Sequence, residues 1–144
     1  MNLVVDASVA LKWFFRERED EADVEPALAL LAGIDTDRYR LWQPPHFLAE
    51  VAAVLAREKP QTARDDLADL RLIQWQVVED TATYESAMDL SIRLRHHLFD
   101  TLYHAAALRT ADATLVTADR TYYDKAQNEG RIVLLSEFDV SLST

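Results

Sequence analysis

The chain has 144 residues, 49% of them hydrophobic and 28% charged, with a formal net charge of −10. It contains no cysteine, which excludes a disulfide framework, a Cys-ligated zinc or iron–sulfur centre and a thiol nucleophile. The acidic balance also weighs against a polyanionic partner, because long-range attraction of nucleic acid wants a basic surface.

Residues 2–5 read as a first strand, apolar without alternation, the pattern of a strand covered on both faces. A short helix follows, and its run Trp13, Phe14, Phe15 suggests an aromatic partner surface. The acidic run 17–25 is expected to cover an exposed helix face. Residues 41–42 form the second strand. Pro44 and Pro45 then mark a helix start, and helix 46–58 places Phe47, Val51, Val54 and Leu55 on one stripe. After the break at Pro60, helix 62–74 repeats the pattern with Leu67, Leu70 and Ile73. Strand 76–78 leads to helices 81–95 and 100–109, the latter favoured by its alanines. Strand 114–117, helix 121–129 and strand 132–135 complete the series.

Strands alternating with helices predict an α/β fold, a three-layer α/β/α sandwich with a central, mainly parallel sheet of about five strands. No linker or repeat divides the chain, so a single domain over 1–144 is expected. No apolar run approaches the roughly eighteen residues of a membrane span. The start Met1-Asn2-Leu3-Val4-Val5-Asp6 lacks a basic signal region, so a cytoplasmic protein is expected.

Four carboxylates stand where a core would not want them. Asp6 closes the first strand, and Asp119 repeats the arrangement after Thr117 and Ala118. Asp100 opens a helix. Each of these three could be a helix cap and no more. Glu50 lies on or beside the apolar stripe of its helix, where an ionised group is costly unless it is paired or bound to a cation; reaching solvent or Arg57 would also satisfy it. In an open parallel sheet, ligands collect beyond the carboxyl ends of the strands. Four acids meeting there would repel one another and raise their pKa values. A divalent cation resolves the repulsion, and oxygen donors point to Mg2+ or Mn2+.

The segment Val-Val-Asp-Ala-Ser-Val-Ala-Leu-Lys-Trp-Phe (4–14) resembles the opening of PIN-domain nucleases, especially VapC-type toxins of toxin–antitoxin pairs. The resemblance continues through Pro-His-Phe-Leu-Ala-Glu-Val-Ala-Ala-Val-Leu (45–55), Phe-Asp-Thr-Leu-Tyr-His-Ala-Ala-Ala-Leu (99–108) and Leu-Val-Thr-Ala-Asp (115–119). It implies a PIN-like fold and cleavage of RNA dependent on Mg2+ or Mn2+. It further implies Asp6, Glu50, Asp100 and Asp119 as the catalytic and metal-holding acids, with Ser8 and Thr117 orienting them. A cognate antitoxin and a homodimer are implied as partners.

Within that reading Asp6 and Asp100 make the principal metal contacts, Asp119 completes the shell or holds a second ion, and Glu50 binds a metal-bound water or acts as general base. Removing the four acids from the count leaves −10 + 4 = −6, so RNA must be met by local basic groups. Arg120, beside Asp119, is the first candidate, with Lys12 and Arg16 after the first motif. Arg93, Arg95, His96, His97 and Lys125 are further ones. His46, His96, His97 and His104 show no zinc spacing and are expected to be structural or on the surface, as Trp13, Trp42 and Trp75 are expected to pack rather than stack on bases. Two other readings remain: a PIN-like binding module without activity, and a haloacid-dehalogenase-type phosphatase. The phosphatase would need a second aspartate where Ser8 stands.

Overall fold

The structure, a computed structural model, describes residues 1–139. The last five positions of the expected 1–144 domain lie outside the described residues.

Five strands form one sheet: β1 (Asn2–Val5), β2 (Arg40–Gln43), β3 (Trp75–Val77), β4 (Ala113–Thr117) and β5 (Ile132–Leu134). Their order is β3-β2-β1-β4-β5, and every neighbouring pair is parallel. The helices are α1 (Ala7–Phe14), α2 (Val24–Asp35), α3 (Phe47–Glu58), α4 (Ala63–Arg71), α5 (Thr81–Leu94), α6 (Leu98–Arg109) and α7 (Arg120–Ala126). The connections β1 to β2 and β2 to β3 step toward one edge of the sheet; β3 to β4 and β4 to β5 step toward the other. Because parallel crossovers are right-handed, opposite steps put α1–α4 on one face and α5–α7 on the other. The expected three-layer sandwich results.

β1 lies at the centre, and Leu3, Val4 and Val5 are fully buried, as a strand covered on both faces requires. They join one core with Val51 and Leu55 of α3, Tyr103 and Ala106 of α6, and Leu115 and Val116 of β4. Alanines at 105–107 let α6 approach the sheet closely, and all three are buried.

The β1–β2 ladder pairs Asn2 with Arg40 and Leu3 with Leu41. At its far end the Gln43 side chain takes over: Val5 N–H donates to Gln43 Oε1 at 2.9 Å, and Gln43 Nε2 donates to Val5 O at 2.7 Å. A buried amide thus supplies both backbone partners where the ladder gives way.

Three expectations change. Residues 17–23 are loop, and helix α2 begins at Val24, so the acidic run flanks a helix rather than covering one. The helix itself was readable from Ala27, Leu30, Leu31 and Ile34, which sit at helical spacing. Its Gly33 is required by contact, since a Cβ there would collide with the Tyr39 ring. The aromatic partner surface also fails: Trp13 and Phe15 are buried, and Trp13 Nε1 donates to Ala27 O at 2.9 Å, tying α1 to α2. Finally, Asp100 does not open its helix. His97 occupies the cap position of α6, and Asp100 is in the first turn.

Candidate active site

The order of the sheet reverses at β1. One crossover leaves its carboxyl end toward β2, while β4 lies on its other side. Chains diverging from adjacent strand ends leave a crevice there. Asp6 follows β1 and Asp119 follows β4 by two residues, so both reach this crevice. The first turn of α3 adds Glu50, and the first turn of α6 adds Asp100. Asp6, Ser8, Glu50, Asp100, Tyr103 and Asp119 together line a cavity of about 230 Å³.

Asp6 stands at the cap position of α1, yet its side chain makes no capping bond. Its two oxygens instead accept from the hydroxyls of Ser8 and Thr117, one each. Those hydroxyls are themselves held. Ser8 Oγ accepts from Ala118 N–H at 3.0 Å, and Thr117 Oγ1 accepts from Asp119 N–H at 3.0 Å. The ends of β1 and β4 are therefore laced together through one carboxylate.

Burial pushes the Asp6 carboxyl up to about 7, against the two hydroxyl bonds that favour its charge, and repulsion from Asp100 and Asp119 adds to the rise. For Glu50 burial again opposes charge, but bonds from His46 and Tyr103 outweigh it and hold the carboxyl below its usual value. Tyr103 donates to Glu50 Oε1 at 2.6 Å, and His46 Nε2 is 3.2 Å from the same oxygen. Arg57, the alternative partner for Glu50, pairs with Glu58 instead. Burial and the adjacent acids drive the Tyr103 hydroxyl far above its ordinary range, so it stays a donor.

Asp119 does cap α7, accepting from Tyr122 N–H at 3.1 Å through Oδ1. Capping and crevice-lining are compatible, because a carboxylate has a second oxygen. Asp100 Oδ2 meets His96 Nε2 at 2.6 Å and His97 Nε2 at 3.1 Å.

The basic candidates separate. Arg120 is exposed at the first position of α7, next to Asp119. Arg16 is exposed but lines a different cavity, with Phe14, Arg18 and Lys59. Lys12 turns inward: it is buried, donates to Ala22 O at 2.6 Å and pairs with Glu21 at 3.8 Å. An ammonium so engaged is withdrawn from solvent, and its expected contact with RNA is not carried forward. Arg93 is likewise engaged by Glu129 at 3.0 and 2.9 Å.

Sequence reasoning missed Tyr103 and His46 at this site, and placed His96 and His97 only among the basic groups available to RNA. Tyr103 lies three residues after Asp100, one helical turn on, which was a usable signal. His96 and His97 were set aside as ill-spaced ligands. They sit in the turn between α5 and α6, where neighbouring side chains need not diverge as on a helix.

The profile of the PIN domain family matches residues 3–128. The chain belongs to the PIN-domain family. No curated protein sequence matches it. Among solved structures it is similar to VapC20 of Mycobacterium tuberculosis, a toxin that cleaves the sarcin–ricin loop, at 20% identity and a TM-score of 0.59. That match covers 81% of this chain and 87% of the other. The expected fold class and family are borne out. Among the described residues no helix is long and apolar enough to cross a membrane.

The donor set of this PIN domain suits a divalent cation. Asp6, Glu50, Asp100 and Asp119 give the cavity oxygen donors without nitrogen or sulfur, and hard oxygen donors match Mg2+ or Mn2+ better than zinc. The raised Asp6 carboxyl is the second sign: burial is the main cause and repulsion from Asp100 and Asp119 a smaller one, and a bound cation would offset both. Among the described residues, the group of three metal-ligating side chains whose donor atoms all lie within 4.8 Å of one another is His96, His97 and Asp100. No three of the four acids form so close a group.

Proposed function

We propose that this PIN domain is an endoribonuclease dependent on Mg2+ or Mn2+, acting as the toxin of a toxin–antitoxin module. The observation that carries the reading is the convergence of acids from four separate segments on one cavity beyond the strand ends. The fold shared with VapC20, a toxin that cleaves RNA, supports the same assignment.

Asp6, Asp100 and Asp119 would hold the cation, with Glu50 beside them. A bound divalent ion supplies Lewis acidity: it neutralises phosphoryl charge and acidifies water. The protein does the rest. Ser8 and Thr117 fix the Asp6 carboxylate from both sides. Tyr103 and His46 hold Glu50 ionised, so that it can accept a proton from the attacking water. Arg120, exposed beside Asp119, would serve as a phosphate contact. An acidic chain with few such contacts binds RNA weakly outside its target, which favours a selective substrate.

The partners follow from this reading: an RNA substrate, a cognate antitoxin and a second copy of the chain in a homodimer, in the cytoplasm. An antitoxin arginine would pair well with the carboxylates of the cavity.

The test is cleavage of RNA by the purified chain with Mg2+, with Mn2+ and with chelator, beside Asp6→Asn and Asp100→Asn. Metal-dependent cleavage lost in both variants supports the proposal; wild-type rates in either end it. A silent binding module would bind no Mn2+ at these acids. A phosphatase would hydrolyse small phosphomonoesters, for which Ser8 stands in place of the needed aspartate.

A further inference from the structure

His96 and His97 lie between α5 and α6, and both reach the same oxygen of Asp100 through Nε2, at 2.6 and 3.1 Å. Their rings stack at 4.7 Å, and the Tyr122 ring meets His96 edge-on at 4.9 Å. His96 is therefore held on two sides, while His97 is largely exposed.

Two imidazoles and a carboxylate have the composition of a transition-metal site. The far side of His96 argues against that use. A ligating histidine gives its other ring N–H to an acceptor. Here Nδ1 faces Lys125 Nζ at 3.3 Å. An ammonium has three donors and no acceptor, so Nδ1 must present its lone pair. The ring proton then sits on Nε2 and points at Asp100. Lys125 is itself anchored, donating to Arg95 O at 3.2 Å.

We propose that His96 is a positioning residue for Asp100. Lys125 selects its Nε2–H tautomer, that N–H fixes Oδ2, and Oδ1 is left to the cation. The chain Lys125–His96–Asp100 thus orients one carboxylate of the metal set from α7, an element on the same face of the sheet as α6. The inference rests on the reading of Asp100 as a metal ligand.

Two measurements on the full chain test it. Long-range 1H–15N spectra of the histidine rings in the cation-free protein report the tautomer directly. The expected result is Nε2–H at His96, with the Nδ1–H form appearing in Lys125→Met. Mn2+ affinity, read by calorimetry or electron paramagnetic resonance, is expected to fall about tenfold to a hundredfold in His96→Ala. His96→Gln should recover most of the loss, because its amide nitrogen can stand where Nε2 stood. His96→Asn should not, because its amide nitrogen mimics Nδ1.

An Nδ1–H ring in the wild type overturns the proposal. So does wild-type Mn2+ affinity in His96→Ala, or equal losses in the Gln and Asn variants. Asp100→Asn separates this claim from the one beneath it. If that variant still binds Mn2+ normally, Asp100 is no ligand and the metal reading fails. If it loses Mn2+ while His96→Ala keeps it, only the positioning role is wrong.

Discussion

The hydroxyl of Tyr103 on α6 donates to Glu50 on α3 at 2.6 Å, joining elements 53 residues apart that lie on opposite faces of the sheet. The bond crosses the sheet at its open end, where Glu50 is half-buried. With His46 it offsets the partial loss of solvent around that carboxylate.

Tyr103→Phe tests this support. The ring is kept, so packing should survive with a stability loss of about 1 kcal/mol, while Glu50 loses one of the bonds that hold its carboxyl down. Its pKa then moves up. The acidic limb of the pH–rate profile should shift toward higher pH, and kcat should fall more than KM rises. A profile that does not move would show that Glu50 needs no help from Tyr103.

Asp6 predicts an unusual pH dependence of stability. Its folded pKa, about 7, lies above its ordinary value of 3.8, so between these limits the folded state binds more protons than the unfolded one. The contribution of Asp6 to the stability of the cation-free protein should therefore fall as pH rises from about 4 through 7 and level off above. Asp6→Asn removes that decline. Its Tm should exceed the wild type's at pH 8 without cation, the gap narrowing toward pH 4, and Mg2+ should raise only the wild type's Tm. A gap independent of pH would contradict the burial assigned to Asp6.

Gln43→Leu should be costly despite its similar volume. It strands the N–H and the carbonyl of Val5, both buried, at roughly 1–3 kcal/mol each. Urea denaturation should show a total loss of about 2–6 kcal/mol with an unchanged slope. A loss under 1 kcal/mol would mean that water or strand rearrangement replaces the side chain.

His104 should make the fold acid-sensitive. It is fully buried on α6, with Nδ1 2.9 Å from the Tyr122 hydroxyl and Nε2 2.8 Å from Gly130 O. Burial holds its pKa below the ordinary value, against the bond to Gly130 that favours charge. The unfolded state then takes up the proton first, so the contribution of His104 to stability is lost as pH falls below about 6.5, opposite in sign to that of Asp6. His104→Gln should flatten that decline while lowering stability near neutrality. An unchanged slope in denaturation curves collected from pH 7 to pH 5 would refute the assignment.

What the residues determine alone is local and periodic. Runs without polar alternation at 2–5 and 114–117 mark strands buried on both faces, and the stripe of Phe47, Val51 and Leu55 marks α3, because side-chain direction along a strand or helix follows from backbone geometry. Glu50 could be picked out for the same reason, because it lies on or beside such a stripe, whereas Asp6 and Asp119 stand after strand ends and the full set of four acids came from the family resemblance. Only the tertiary structure decided which groups stand around them. Glu50 could have reached Arg57 but meets Tyr103, and Lys12 could have faced solvent but binds Ala22. Asp100 gains two histidines from a turn whose path no periodicity describes. Such partners come together through packing between distant segments, and spacing along the chain carries no record of it.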